Sequence, residues 1–193
     1  MNTHNALISA SLLAGLAVFS ACATAQDTGP SHDDTKHVNA WKAVTKGICV
    51  IRPTDGNTAS GIVRFTQVGD SVKIEAEISG LTPGAKHGFH IHQYGDVSLG
   101  NGKSAGGHYN PGGHDHAGPD KKVRHAGDLG NVTADAKGNA KLSLTLDNLS
   151  VAGMTNPVVG RGMIVHAGTD DLKSQPTGAA GARIGYGVIG IAK

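Results

Sequence analysis

The chain has 193 residues, room for one globular domain. Charged residues are 17% and the net charge is +2, which excludes a disordered polyelectrolyte and leaves no basic footprint for nucleic acid. Aromatics are only 4% against 29 glycines, so a core must come from Val, Ile, Leu and Ala, and glycine without a three-residue period excludes collagen.

Residues 6–19 form an apolar run (ALISASLLAGLAVF) of signal-peptide length, too short to span a bilayer. Cleavage after Ala25 fits the small-x-small rule at Ala23-Thr24-Ala25. Phe19-Ser20-Ala21-Cys22 offers a second reading, a bacterial lipobox with Cys22 lipidated. The first five residues carry no Lys or Arg, and a buried N-terminal helix is the competing reading. The expected order is a signal peptide over residues 1–25, a polar tether over 26–40 and a folded domain over 41–193. Export to the periplasm means an oxidising compartment. With only Cys22 and Cys49 present, no disulfide framework exists, and Cys49 in Ile48-Cys49-Val50-Ile51 is expected to be a small buried hydrophobe.

Strands are predicted over residues 43–52, 61–68, 72–78, 88–94, 128–134, 142–146, 161–166 and 184–191. The clearest alternates strictly, with Val72, Ile74, Ala76 and Ile78 on one face and Lys73, Glu75 and Glu77 on the other. Leu142, Leu144 and Leu146 repeat the pattern against Lys141, Ser143 and Thr145. Turn signals separate the runs: residues 53–57, Gly69-Asp70, Thr82-Pro83-Gly84 and Lys137-Gly138-Asn139. Eight short strands without a helical period predict an all-β, antiparallel sandwich or flattened barrel. Residues 95–124 and 167–182 are too long for turns and are expected to be functional loops.

Eleven histidines are the second compositional outlier, and seven lie between His87 and His125. In Gly88-Phe89-His90-Ile91-His92 both imidazoles share one strand face and can reach one ion. His108, His116 and His125 follow, then Asp128; His166 ends the Met163-Ile164-Val165 strand. Four imidazoles suit tetragonal copper, and a mixed His/Asp set suits tetrahedral zinc. Taken alone, His-x-His is weak, a satisfied surface pair being its commoner explanation, and His114-Asp115-His116 alone fits a solvated patch.

Together these blocks resemble the copper-zinc superoxide dismutases. The resemblance spans about residues 42–192 and rests on Gly88-Phe89-His90-Ile91-His92, on Ser104-Ala105-Gly106-Gly107-His108-Tyr109-Asn110-Pro111, on His125-Ala126-Gly127-Asp128-Leu129-Gly130-Asn131-Val132 and on Gly187-Val188-Ile189-Gly190-Ile191. It implies a Greek-key fold of eight antiparallel strands that dismutes superoxide to dioxygen and hydrogen peroxide. It implies copper on His90, His92, His108 and His166, and zinc on His108, His116, His125 and Asp128. His108 would bridge the metals and carry a proton during turnover. Asp170 matches an aspartate that holds His90 and His116 from behind. Arg183 matches the arginine that attracts the anion, and Thr177 a threonine that narrows the channel mouth. His87 is expected to clamp loop to barrel, and His114 to face solvent.

The chain departs from the family in two places. The usual disulfide positions fall on Gly102 and Tyr186, so the bridge is expected to be missing, with Tyr186 packing into its space. The second long loop is short, and Lys173 is its one cation, which weakens the expected steering of superoxide. A periplasmic copper or zinc store without turnover is the alternative reading. A homodimer is expected through Val159-Gly160-Arg161 and Ile189-Gly190-Ile191.

Overall fold

The computed structural model describes residues 40–193. The expected signal peptide, the Cys22 lipobox and nearly all of the tether lie outside these residues. Eight strands follow one another: β1 (Lys46–Pro53), β2 (Ser60–Val68), β3 (Ser71–Ser79), β4 (Lys86–His92), β5 (Asp128–Thr133), β6 (Ala140–Leu146), β7 (Gly162–His166) and β8 (Arg183–Ile191). Every pairing is antiparallel, and the strands lie in the order β5-β4-β7-β8-β1-β2-β3-β6. The sheet curls into a nearly closed barrel, as the all-β expectation required. Among the described residues no helix is long and apolar enough to cross a membrane.

Side-chain alternation explains where the core lies. In β3, Val72, Ile74, Ala76 and Ile78 are buried while Glu75 and Glu77 are exposed. Cys49, Val63, Phe65, Phe89, Ile91, Leu129, Met163, Val165 and Ile189 complete an interior that is almost wholly aliphatic. Burial pushes the Cys49 thiol up to about 12, which keeps it protonated as a small hydrophobe.

β4 and β7 break the one-wet-face pattern. Phe89 and Ile91 point to the core, so His90 and His92 fall on the outer face, yet both histidines are buried as well. The two long connections, residues 93–127 and 167–182, provide that cover. Gly88 N–H donates to Gly168 O at 2.8 Å, Ile91 N–H to Gly127 O at 3.0 Å and Gln93 N–H to Gly107 O at 2.9 Å. Register shifts sit between Gly88 and His90 and between Val165 and His166. They set His90 opposite Asp128 and His166 opposite Arg183. Bulges of this kind re-aim side chains beside a site.

Strand boundaries shift from the sequence expectation by one to three residues, and two of the shifts have a plain cause. β1 starts at Lys46, not residue 43, because Ala43 N–H and Val44 N–H turn back to the carbonyls of Ala40 and Trp41. β4 ends at His92, not residue 94, because Tyr94 N–H is taken by Ala105 O of the loop at 3.0 Å. In both places a local backbone bond outcompetes the sheet ladder.

Candidate metal centre

Two groups of four side chains each bring one donor atom within 4.8 Å of the others: His90, His92, His108 and His166, and His108, His116, His125 and Asp128. All seven residues are buried. His108 belongs to both groups. Strand β4 supplies His90 and His92, β7 supplies His166, β5 supplies Asp128, and the first long loop supplies the rest.

Tautomers in the first group follow from the hydrogen-bond partners. His92 Nδ1–H donates to Gly106 O at 2.9 Å, and His166 Nδ1–H to Gly181 O at 3.1 Å. Each Nε2 therefore carries a lone pair, and the two lie 3.4 Å apart. His90 Nε2–H donates to Asp170 Oδ2 at 2.8 Å, leaving its Nδ1 bare. His90 Nδ1 and His108 Nε2 are buried with no hydrogen-bond partner. Lone pairs converging in a dry space repel one another unless a cation stands among them. This donor set fits a copper ion.

The second group has the dimensions of a tetrahedron. Asp128 Oδ1 lies 2.9 Å from His108 Nδ1, 2.9 Å from His116 Nδ1 and 3.2 Å from His125 Nδ1. His108 Nδ1 and His125 Nδ1 are 3.4 Å apart. Metal–ligand bonds of about 2.0–2.1 Å give tetrahedral edges of roughly 3.3 Å, so the set fits zinc. Asp128 is held in place through Oδ2, which accepts from His125 N–H at 3.0 Å and Ala117 N–H at 3.2 Å.

Asp170 ties the groups together from behind. Its Oδ1 accepts from His116 Nε2–H at 2.9 Å while Oδ2 serves His90. Gly178 passes so close that a Cβ there would collide with the Asp170 carboxylate and with His116 Nε2. Half-buried Thr177 precedes this glycine. Arg183 donates to Gly102 O and, at 2.6 Å, to Gly106 O, the carbonyl that also fixes His92. His87 is buried and donates through Nδ1–H to His166 O at 2.8 Å, joining β4 to the end of β7. His114 and Lys173 are exposed and outside both groups.

Two contributors carried no role in the sequence reading. Gln175 brackets the His116 backbone, accepting its N–H at 2.7 Å and donating to its carbonyl at 2.9 Å. Asn131 brackets Asp170 in the same way, at 2.8 and 2.9 Å. The only sequence signals were an amide within a matched block, for Asn131, and an amide next to a proline, for Gln175.

Burial lowers His90 to about 4 and His166 to about 3, with neighbouring histidine charge acting in the same direction, and takes His92 well below its usual value. For His116 burial opposes charge, but Asp128 and Asp170 on its two ring nitrogens prevail and raise it to about 9. Metal-free protein thus has a defined pH response. Below 6.5 the unfolded chain takes protons that native His90, His92 and His166 refuse, so stability falls as pH drops toward 4. The His116 contribution is complete below 6.5 and is lost only as pH rises through about 9. The urea midpoint of the metal-free protein is expected to fall between pH 6.5 and 4.5, and a flat midpoint would contradict this. Gln175→Ala is expected to weaken zinc binding roughly tenfold or more, as loss of an outer partner typically does, measured by chelator competition. An unchanged zinc affinity would show that the bracket is idle.

Comparison with known proteins agrees with this geometry. A family model described as copper/zinc superoxide dismutase (SODC) matches residues 59–189. A Superoxide dismutase [Cu-Zn] of Paramecium bursaria Chlorella virus 1 is 47% identical over 156 residues, covering 78% of this chain and 82% of the relative. The Extracellular superoxide dismutase [Cu-Zn] of Onchocerca volvulus is 42% identical over 173 residues, covering 84% and 82%. A Superoxide dismutase [Cu-Zn] of the same organism is 43% identical over 158 residues, covering 76% and 96%. The chain belongs to the copper/zinc superoxide dismutase family.

Proposed function

We propose that one bimetallic centre, bridged by His108, carries the dismutation of superoxide to dioxygen and hydrogen peroxide. Copper and zinc are its cofactors. Copper is assigned to His90, His92, His108 and His166, and zinc to His108, His116, His125 and Asp128. The observation that carries this is the His108 ring, whose bare Nε2 faces one group while Nδ1 faces the other. Bound copper supplies one-electron exchange with superoxide, and redox-inert zinc supplies order and charge at the bridge.

The protein's own groups divide the remaining work. His108 Nε2 is the atom that holds and releases a proton, since Nδ1 is committed toward zinc. Asp170 keeps the His90 and His116 rings in one orientation. The Arg183 guanidinium, half-buried and held by two carbonyls, presents a fixed positive charge to a small anion. Thr177, one residue before the Gly178 close approach, narrows the entrance against larger anions. These are the roles assigned to Arg183, His108 and Thr177 in catalysis.

Three further readings complete the proposal. The leader of residues 1–25 exports the domain of residues 41–193 to the periplasm, with lipidation of Cys22 as the alternative anchor; a relative named as extracellular supports export. The fold stands without the family's bridge. A Cβ on Gly102 would lie 3.5 Å from Tyr186 Cβ, within bridging distance, which supports the reading that Tyr186 stands where the bridge would be. The chain forms a homodimer through the outer face of β1 and β8. Exposed Val50 and Val97 line a hollow of about 400 Å³ together with Ile48, Tyr186 and Val188. Of the two expected segments, Gly190 reaches this face, whereas Val159 packs against the core.

Copper- and zinc-loaded protein is expected to turn over superoxide in pulse-radiolysis assays. His92→Ala should lose copper and turnover together, and Arg183→Ala should lower kcat/KM roughly 10- to 100-fold while keeping both metals. A loaded wild type that binds both metals without turnover would favour the storage reading. In sedimentation, Val50→Lys is expected to convert dimer to monomer; a monomeric wild type would contradict the assembly.

A further inference from the structure

We propose that Thr54 is a positioning residue for Arg183, setting the guanidinium from behind through the backbone. This rests on the role given to Arg183 above. An arginine side chain is long, so a small rotation at its Cα displaces its charge appreciably. Two things must therefore be fixed: the backbone of Arg183 and the loop carbonyls that receive its guanidinium.

Consecutive residues of the β1–β2 turn fix both. Thr54 Oγ1–H donates to Arg183 O at 2.7 Å, and Thr54 N–H donates to Ile184 O at 3.1 Å. The next residue reaches the loop, with Asp55 N–H donating to Gly100 O at 3.0 Å. That loop carries Gly102 O and Gly106 O, the two acceptors of the guanidinium. Gly106 O in turn fixes the ring of His92. The circuit from Thr54 through Arg183 to a copper-group histidine is thus closed by hydrogen bonds alone. Among the described residues Cys49 is a free buried thiol, and no disulfide duplicates this tie.

The hydroxyl is also aimed. Thr54 is only 3% exposed, so water does not compete for it. Its Oγ1 accepts from Asn57 Nδ2–H at 2.9 Å, which leaves its single proton directed to Arg183 O. Asn57 itself is exposed, so it supports the hydroxyl from the solvent side.

The test uses copper- and zinc-loaded protein with azide, a small anion, as probe. Azide affinity is read from the copper(II) absorption, alongside kcat/KM for superoxide and metal content. Thr54→Val keeps the shape and removes the hydroxyl; it is expected to weaken azide binding about three- to tenfold, the scale of one hydrogen bond. Thr54→Ser restores the donor and should return affinity to within about twofold of wild type. Wild-type affinity in Thr54→Val at full copper content overturns the inference, as does Thr54→Ser binding as weakly as Thr54→Val. If Thr54→Val takes up no metal, Asn57→Ala carries the test: a smaller loss in the same direction supports the inference, and unchanged affinity overturns it. Arg183→Ala is the control. Normal azide affinity there overturns the role of Arg183 and this inference together, whereas weakened binding there with normal Thr54→Val overturns this inference alone.

Discussion

The structure depends on keeping unprotonated nitrogen donors packed against one another in a space that water does not reach. Such an arrangement is unfavourable by itself, because each buried lone pair has lost its solvent and gained a like-charged neighbour. His108 is the extreme case, with one nitrogen bare and the other 2.9 Å from Asp128. The barrel supplies one rigid wall, and its strand alternation divides β4 cleanly, Phe89 and Ile91 inward, His90 and His92 outward. The loops supply the other wall. Neither wall alone would exclude the protons that compete for these nitrogens.

Loops do not ordinarily hold such geometry, and here they do so by borrowing the logic of a sheet. Gln175 and Asn131 each present a carbonyl and an NH₂ to the backbone of one residue, His116 and Asp170. A primary amide used this way mimics a strand neighbour and satisfies both main-chain groups at once. The two bracketed residues are themselves joined through His116 Nε2 and Asp170 Oδ1. The second long loop is therefore fastened to the first at a point where both touch the zinc group, and Asp170 extends the fastening to the copper group.

Sequence alone revealed the barrel because its determinants are local. Strict alternation at Val72 to Ile78 and turn residues such as Gly69-Asp70 are read within a few positions. The metal-group histidines were legible for a different reason: as single residues they were ambiguous, and only their joint order in a family-like pattern resolved them. What stayed hidden was fixed by backbone atoms or by distant loops. Gly106 serves both Arg183 and His92 through its carbonyl, which leaves no mark on residue identity. The pairing of Gln175 with His116 spans 59 positions and exists only once both loops have folded. The late start of β1 had the same origin, since bonds to Ala40 and Trp41 capture residues whose composition suits a strand.

Cys49 acquires a meaning in this setting that burial statistics do not give it. Oxidation of a thiol by peroxide proceeds through the thiolate, and a group held near 12 and fully enclosed by β1, β2 and β8 has almost none. Among the described residues it is the sole cysteine, so the folded domain offers its own reaction product no sulfur that can enter the sulfenic acid ladder. Nor is there, among the described residues, a bridge that a reducing or oxidising shift could open or reshuffle. Its cysteine chemistry is thereby indifferent to the redox swings that its activity is built to meet.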